Sequence, residues 1–447
     1  MDATKTLPPN KLQTTFQAHV SQHVAPDSRV CVALSGGVDS VVLLHLFAQL
    51  RSHYPLTLSA IHIHHGISLN ADAWAQFCQQ ICAELDIPIQ TYRISLARSA
   101  ELGLEAAARL ARYAQFRHQP ADFIALAHHR DDQAETFMLQ LLRGAGVKGL
   151  SGMPVIRQQS GEPGYLRPLL DVDRSDILDW AKQRQLQWIE DESNQDSRYA
   201  RNFLRHEILP LLNQRYPAWR ATIARSAQNL AEAAELLDEL AQLDAAHAIR
   251  DRQINCTYLA AITPARARNL LRYFLALHDL AMPSQIQLME MLEQLTHAGI
   301  DSHIAIDHDG HTLHRYRDYG YLLKQLPVPD RASRWHWQGE TQLTLPELGG
   351  TLSFEREGAP GIDLRRLNDI NIRLRQGGEM FRPDCHRPNR RLKTLLQTAN
   401  IPPWQREHTP LIYSGDTLIH VPGIGTACGW QATPGDLALC ISWHTAD

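Results

Sequence analysis

A regular alternation of short apolar runs and amphipathic segments between Arg29 and Gly144 constrains the fold more than any other feature. Apolar runs of strand length are each followed by a longer segment with apolar residues at helical spacing. In chain order the segments are "RVCVAL", "VVLLHLFAQLRSHY", "LTLSAIHIHH", "DAWAQFCQQICAEL", "IQTYRISL", "LEAAARLARYAQFRHQ", "DFIALAHH" and "DDQAETFMLQLLRG". This β-α-β-α order predicts an α/β fold with a doubly wound parallel sheet.

Three polar turns follow the predicted strands of this sheet. They read "SGGVDS", "HIHHG" and "AHHRDD". Ligands of doubly wound sheets bind beyond the carboxyl ends of the strands, and all three turns fall at that edge. We therefore expect the three turns to form one site.

The turn "SGGVDS" has the composition of an anion-binding loop. Gly36 and Gly37 have no side chains, so backbone N–H groups can approach an anion, and the helix that follows adds its positive end. Ser35 and Ser40 can donate hydroxyl groups to phosphate oxygens, and Asp39 can hold a magnesium ion. An ordinary turn with a serine cap is the alternative, which the flanking strand and helix disfavour. The lysine of GxxxxGK[ST] is missing, so the loop is not of the Walker type. The predicted nucleotide-binding residues are Ser35, Gly36, Gly37, Val38, Asp39 and Ser40.

The same turn resembles the SGGxDS signature of the PP-loop ATP pyrophosphatases, whose loop holds pyrophosphate while the α-phosphate is attacked. Further segments resemble, in order and spacing, the tRNA(Ile)-lysidine synthetases within that superfamily. These segments are "IHIHHGI", "LEAAARLARY", "LAHHRDDQAETFMLQLLRGAGVKGLSGM", "RPLLDVDR", "WIEDESNQDSRYARNFLRHEILPLL" and "GGEMFRPDCHRPNRRLKTLLQTANIPPWQREHTPLIY". Within the last segment, a proline and an asparagine replace the glycine-rich basic turn that is commoner in the family.

This resemblance implies an ATP-dependent ligase that attaches L-lysine to carbon 2 of the wobble cytidine in the CAU anticodon of tRNA(Ile). The cytidine 2-oxo oxygen attacks the α-phosphate of ATP and releases pyrophosphate, and the lysine ε-amine then displaces AMP. ATP and Mg²⁺ are the implied cofactors, with Asp39 as the metal ligand. The product pairs with adenosine, which allows AUA to be decoded as isoleucine.

Three alternatives remain at this point. A PP-loop tRNA base thiolase uses the same loop but generally needs cysteines to carry sulfur, and no CxxC motif occurs. An amide-forming synthetase acting on a small molecule does not need the additional domains that follow residue 217. A non-catalytic tRNA-binding protein does not need carboxylates in the turns beside a phosphate loop.

The segment "AHHRDDQAET" contains the second half of the predicted site. Asp132 and Glu135 are three residues apart at the start of a helix, and therefore share one face. They can bind magnesium or a lysine ammonium; an acidic first turn that favourably meets the helix dipole is the alternative. The resemblance implies roles in lysine recognition and catalysis without dividing them between the two carboxylates. Arg112, on the preceding helix, is either part of a salt-bridged face or directed at ATP. The candidate catalytic residues are Asp39, Arg112, Asp132 and Glu135.

Basic residues form three clusters in a chain whose net charge is −4, so any nucleic-acid surface must be local. Solvated helix faces are the alternative. The clusters are Arg198, Arg201 and Arg205; Arg266, Arg268 and Arg272; and Arg390, Arg391 and Lys393. The candidate contacts to tRNA or lysine are His128, Arg205, Arg390, Arg391 and Lys393.

A chain of 447 residues is too long for a single core. We expect a catalytic domain over 1–217, a mainly helical tRNA-binding domain over 218–325, a linker region over 326–360 and a small α+β tRNA-binding domain over 361–447. Seven scattered cysteines predict neither a disulfide framework nor a zinc ribbon. No secretory signal and no run of ~18 apolar residues is present, which predicts a cytoplasmic protein without a membrane span. The oligomeric state stays open, with a homodimer as one option.

Overall fold

The computed structural model describes residues 11–66, 68, 70–94, 104–159, 161–190, 192, 196, 198–297, 304–358 and 360–445. It divides into two compact units, Met1–Glu239 and Leu240–Asp447. Among the helices within these described ranges, none combines the length and apolar character that crossing a membrane requires.

The first unit contains one six-stranded sheet and its helices. Its strands are β1 (Arg29–Ala33), β2 (Thr57–His64), β3 (Ile89–Arg93), β4 (Phe123–Ala125), β5 (Ile156–Gln159) and β6 (Glu162–Leu166). Its helices are α1 (Lys11–His23), α2 (Val38–Leu50), α3 (Ala71–Glu84), α4 (Leu104–Arg117), α5 (Arg130–Leu142), α6 (Val147–Leu150), α7 (Arg174–Gln183), α8 (Ala200–Phe203) and α9 (Leu209–Arg215). A single π-helical turn, Leu204–Ile208, separates α8 from α9.

The strand order is β3-β2-β1-β4-β6-β5. All neighbours pair in parallel except β5, which runs antiparallel to β6 at the edge. The chain moves outward from β1 to β3 and returns to the other side of β1 with β4, so a topological switch point lies between β1 and β4. The predicted doubly wound parallel sheet is confirmed, and its ligand crevice is expected at the carboxyl ends of β1 and β4.

Alternation along the central strands gives the sheet two buried faces. Val30, Val32 and Ala125 face a core that also contains Phe16 and Trp180. The alternate strand residues face a second core: Cys31, Ile61, Ile124 and Tyr165. This core also contains Phe116 of α4. Because both faces are covered, the central strands are continuously apolar, as parallel strands must be.

The second unit contains two sets of elements. The long helix α10 (Trp219–Ala248) ends in it. The following elements are β7 (Ile249–Arg250), β8 (Gln253–Asn255), α11 (Cys256–Ala261), α12 (Pro264–Leu277), α13 (Gln285–His297), β9 (Ile304–His308), β10 (His311–Tyr316) and β11 (Tyr319–Lys324). The predicted helices are present, and they pack on a five-stranded sheet that helical periodicity had not indicated.

In this helical part, one arginine of the second basic cluster is engaged internally. Arg266 forms an ion pair with Asp244, a buried carboxylate that also accepts a hydrogen bond from Tyr258 at 2.9 Å. The charge of Arg266 is therefore partly neutralised by Asp244, which the spacing of the three arginines does not reveal.

The remaining elements are mainly strands. They are β12 (Arg334–His336), β13 (Gln342–Leu345), β14 (Gly350–Gly358), β15 (Ile362–Asp363), β16 (Asn371–Arg373), β17 (Met380–Phe381), β18 (Arg390–Arg391), α14 (Leu392–Thr398), α15 (Pro403–His408), β19 (Leu411–Ser414), β20 (Thr417–Val421), β21 (Gly425–Thr426) and β22 (Leu437–Thr445). Three of these strands, β12 to β14, occupy the region expected as a linker. They form strands because Leu345, Leu352 and Phe354 are buried in the core of this part.

One pair of cysteines differs from the expectation that the cysteines would form no disulfide framework. Cys385 and Cys428 form a disulfide across 43 residues of sequence. The segment Arg382–Cys385 is also held by a hydrogen bond from the Cys428 N to the Arg382 O at 2.7 Å. Tertiary proximity creates this pair, and no spacing motif in the sequence reveals it.

Candidate active site

The loop Leu34–Ser40 connects β1 to α2 at the switch point. It is fixed by its own serines: the Ser35 N donates to the Ser40 Oγ at 3.2 Å, and the Ser40 Oγ donates to the Gly37 O at 2.9 Å. Gly37 is the N-cap of α2 and supplies no side-chain cap to the first-turn N–H groups. The first turn therefore presents backbone donors and the positive end of the helix to the crevice, as an anion site requires.

Gly36 is required by the backbone. Its φ of +90° is in the region that favours glycine, and an added Cβ would lie 2.6 Å from the Ile189 Cδ1. The Gly36 O also accepts a hydrogen bond from the Ile189 N at 2.9 Å. Gly37 has a φ of −71° and more space, with the Ser35 Oγ at 3.6 Å from a built Cβ. The backbone conformation therefore requires glycine at position 36 but not at position 37.

The second half of the site is the start of α5, directly after β4. His129 caps this helix in extended conformation, and its N donates to the Asp132 Oδ2 at 3.1 Å. Because β1 and β4 are paired neighbours, this turn lies beside the glycine loop. The third predicted turn, after β2, adjoins the other side of the loop, where the His62 Nδ1 lies 2.8 Å from the Leu34 O.

His129 connects the two halves. Its Nε2 lies 3.8 Å from the Asp39 Oδ2 and 3.4 Å from the Asp132 Oδ2, and the imidazole is almost fully buried. His129 was not among the candidate site residues predicted from the sequence, which in this segment were His128, Asp132 and Glu135. The signal for His129 was its position three residues before Asp132 at an N-cap.

The donor set of Asp39 fits a magnesium ion. Its Oδ1 is buried without a hydrogen-bond partner, and burial raises the pKa of this carboxyl. Within the part of the chain that the structure describes, no three His, Cys, Asp or Glu side chains form a complete metal cage. Magnesium ions that bind nucleotides typically take one or two carboxylates and complete their shell with phosphates and water. Asp39, with its unpartnered Oδ1, provides one such carboxylate.

Glu135 is engaged by arginines. It is 1% exposed, and Arg205 donates to both of its oxygens, at 2.8 and 2.9 Å. The Arg201 Nε lies 3.4 Å from the Glu135 Oε2, and the Arg201 Nη2 donates to the Thr136 Oγ1 at 2.9 Å. Arg205 also reaches the Asp132 Oδ1 at 3.5 Å. The π-helical turn places Arg205 here, and such turns recur at functional sites.

The three carboxyl groups differ in their electrostatics. Burial raises the pKa of Glu135 above its usual value, and the hydrogen bonds and charges of the neighbouring arginines only partly oppose this. Burial also acts to raise the pKa of Asp132, but the charges of His129, His128 and Arg201 hold this pKa below its usual value. Asp132 is therefore the carboxylate of the helix start that stays ionised most readily.

His128, which interacts electrostatically with Asp132, is neutral. Burial lowers the pKa of His128 to about 3, and Arg167 and Arg201 add to the effect while Asp132 opposes it. Arg167 follows β6, is 5% exposed, and has a buried Nε without a hydrogen-bond partner. His128 is thus suited to donate or accept a hydrogen bond, and is not a cation at neutral pH.

The other predicted site residues are dispersed. The Arg112 Nη2 lies 3.4 Å from the His65 Nε2, which places Arg112 by the third polar turn, after β2. Arg390 and Arg391 form the exposed strand β18, and Lys393 is exposed in the first turn of α14. These last three residues belong to the second unit.

A glycine loop at the switch point of a parallel sheet, facing carboxylates at the next strand end, defines a nucleotide-binding α/β enzyme domain. A family model for the PP-loop domain matches residues 9–212. Two more models match the second unit: the TilS substrate binding domain at residues 255–321 and the TilS substrate C-terminal domain at residues 370–443.

Whole-chain relatives narrow this class. A tRNA(Ile)-lysidine synthase of Nitrosomonas europaea is 45% identical over 99% of this chain and 98% of its own length. The Coxiella burnetii enzyme of the same name is 41% identical over 91% of each chain, and that of Aromatoleum aromaticum is 39% identical over 95% of this chain and 99% of its own. The chain therefore belongs to the tRNA(Ile)-lysidine synthase family, as the sequence blocks predicted.

Proposed function

We propose that this chain joins L-lysine to carbon 2 of the wobble cytidine in the CAU anticodon of tRNA(Ile), and converts ATP to AMP and pyrophosphate. The observation that carries the proposal is the junction of the glycine loop with the Asp39, His129 and Asp132 side chains at the switch point. Family membership over the whole chain supports the substrates.

The glycine loop holds the pyrophosphate part of ATP. Backbone N–H groups at the start of α2 and the Ser35 hydroxyl donate to phosphate oxygens whose charge grows as the α–β bond breaks. The Ser40 hydroxyl was expected to do the same, but it is buried and donates to the Gly37 O, so its role is to hold the loop. Because a Walker lysine is missing, a magnesium ion held by Asp39 and by the phosphates would neutralise charge on the departing pyrophosphate, together with arginines. Arg112 is our candidate for an arginine directed at the nucleotide.

Adenylation of the cytidine oxygen makes it a good leaving group, and the lysine ε-amine then attacks carbon 2. We assign Asp132 to the lysine ammonium because it remains ionised and is not enclosed by two arginines. Glu135 positions Arg205, since the buried pair leaves its carboxylate without a free oxygen for a substrate. His128 is assigned a neutral hydrogen-bonding role toward lysine or tRNA.

The cysteines oppose the thiolase alternative. Cys78 lies under the loop, with its Sγ 4.0 Å from the Leu34 O, but burial raises the pKa of its thiol to about 12. Burial likewise raises the pKa of Cys31 to about 11. Sulfur transfer needs an accessible thiolate, which these buried thiols do not provide.

In the second unit, we assign Arg390, Arg391 and Lys393 to tRNA phosphates because all three are exposed. A cytoplasmic location and a homodimer stay predictions, which fractionation and light scattering test.

The direct test incubates the protein with ATP, labelled lysine and tRNA(Ile) carrying a CAU anticodon, with tRNA(Met) as the control. Label is expected in tRNA(Ile) alone, with release of AMP and pyrophosphate. Labelling of neither tRNA, or dependence on a sulfur donor, contradicts the proposal.

A further inference from the structure

A cavity of about 300 Å³ in the second unit is unusually rich in cations. It is formed by the segment that precedes β12, the turn after β16, the first turn of α14 and the last turn of α15. Its lining residues are Val328, Pro329, Arg331, Arg375, Gln376, Gly377, Lys393, Arg406 and Glu407. Four of these nine residues are cationic and one is acidic.

The nearby acids neutralise only part of this charge. The Arg331 Nη2 lies 3.9 Å from the Glu407 Oε1, and the Arg375 Nε lies 3.6 Å from the Glu379 Oε2. Within the described residues, neither Lys393 nor Arg406 has a carboxylate within ion-pair distance. The cavity therefore carries an excess of positive charge that these two acids do not balance.

Arg406 is the most informative of the four. It is only 8% exposed, and its Nε donates to the Ile401 O, a neutral carbonyl, at 2.6 Å. A buried guanidinium that lacks an anionic partner is costly in free energy. An anion that enters the cavity would supply the missing charge.

The turn beside Arg375 is held in an open shape. Gly377 and Gly378 have φ angles of +97° and +89°, which favour glycine. The Glu379 Oε1 accepts hydrogen bonds from the Gln376 N and from the Gly377 N, the latter at 2.8 Å. Glu379 thus fixes the turn and orients Arg375, so the Arg375 guanidinium is in place before a ligand arrives.

The lining selects the kind of anion. Guanidinium groups and an ammonium match the several oxygens of a phosphate group. No aromatic side chain is among the lining residues described, so the cavity offers no stacking surface for a base. Lys393 follows the exposed strand of Arg390 and Arg391 within two residues, which makes the cavity continuous with the assigned RNA surface.

We propose that this cavity binds one phosphate group of the tRNA substrate and that Arg331, Arg375, Lys393 and Arg406 form its phosphate site. This proposal rests on the proposed function, because it takes tRNA as the ligand. One phosphate shared by several cations is a different arrangement from a surface on which each cation contacts its own phosphate.

Salt dependence of tRNA binding distinguishes these arrangements. The variants are Arg331→Ala, Lys393→Ala and their double variant in the full chain, both residues being exposed enough to change without disturbing the core. Arg356→Ala, which removes an exposed charge from β14 outside the cavity, is the matched control. The plot of log K against log salt has a negative slope, and its magnitude decreases by roughly 0.7–0.9 for each phosphate that the protein no longer neutralises.

We expect the magnitude of the slope to decrease in the double variant by the equivalent of about one phosphate. This decrease should be no larger than the decrease in the more affected single variant. Its tRNA affinity should fall roughly tenfold, while Arg356→Ala binds as the wild type does. A fall equivalent to two phosphates, or a wild-type slope in the double variant, overturns the proposal.

Inorganic phosphate at matched ionic strength is expected to raise the thermal midpoint of the wild type but not of the double variant. If phosphate does so while tRNA affinity is unaffected by the substitutions, the site binds a free anion and the tRNA assignment is wrong.

Lysine incorporation by the wild type is measured in parallel, so the two proposals fail separately. Absence of lysine incorporation, together with a slope reduced by the equivalent of one phosphate, contradicts the proposed function and leaves the phosphate site standing. Normal incorporation at saturating tRNA with no change in slope contradicts the phosphate site alone.

Discussion

Replacing Glu135 by glutamine tests whether this carboxylate positions Arg205 or binds the lysine substrate. The glutamine keeps the shape of the side chain but removes its charge and one acceptor oxygen. Arg205, which now donates to both oxygens at 2.8 and 2.9 Å, would retain one acceptor and face an amide N–H with its other donor. Arg201 would lose its carboxylate neighbour at 3.4 Å.

The magnitude follows from the burial of the pair. Removal of one partner of a buried ion pair costs about 3–5 kcal/mol, and the lower end applies because the Arg205 side chain is 27% exposed and keeps Asp132 at 3.5 Å. For a unit of this size, about 3 kcal/mol corresponds to a fall of roughly 6–12 °C in the thermal midpoint. The double variant Glu135→Gln/Arg205→Met should recover part of this loss, because neither charge is then left unpaired.

Steady-state kinetics of lysine incorporation separate the two roles. If Glu135 positions Arg205, Glu135→Gln and Arg205→Met each lower kcat, and the double variant is no slower than the worse single variant. Asp132→Asn, in contrast, should raise the KM for lysine. A selective rise in the lysine KM of Glu135→Gln, with additive effects of Arg205→Met and an unchanged thermal midpoint, would refute the positioning role.

Three further outcomes are expected. Asp39→Asn should shift the Mg²⁺ dependence of lysine incorporation to higher concentration, and an unchanged titration curve contradicts its metal role. Gly36→Ala should lower the stability of the first unit by at least ~1–2 kcal/mol in thermal unfolding, because of its φ and the Ile189 contact, whereas Gly37→Ala should cost less. The His128 imidazole has a pKa of about 3 when folded and 6.5 when unfolded, so the unfolded chain is protonated first as the pH falls. Stability should therefore decline below about pH 6.5, and His128→Gln should reduce that decline; equal decline in both proteins argues against a buried neutral imidazole.

The sheet and the family could be predicted from the sequence because both are encoded locally. Strand runs such as "RVCVAL" and the glycine turn have their own spacing and composition, and parallel strands place their ends at one edge. That rule alone predicted that Asp39 and Asp132 would be neighbours. Their individual roles were not predictable, because those depend on which arginine arrives from a distant segment.

Arg205 and Glu135 illustrate the limit. They are 70 residues apart, and Arg205 reaches the carboxylate from within the π-helical turn. Arg266 shows the same limit, since one arginine of a helical row forms an ion pair with a buried acid that no periodicity reveals. The strands at 334–358 fall in the region expected as a linker because the proline-bearing stretch "QLPVPDRASRW" begins it. The burial of Leu352 and Phe354 became evident only with their partners.

The arrangement of charges explains how a loop without a lysine can bind a nucleotide for attack at its α-phosphate. Glu135 is neutralised by arginines, so the acidic side of the crevice consists of Asp39 and Asp132 around His129. The opposite side consists of backbone donors at the start of α2. In the proposed function, a magnesium nucleotide would bring a cation for Asp39 and phosphates for the donors, and would therefore complement both sides at once. Loss of either side would therefore weaken nucleotide binding, and for this reason we propose that the two turns act as one site.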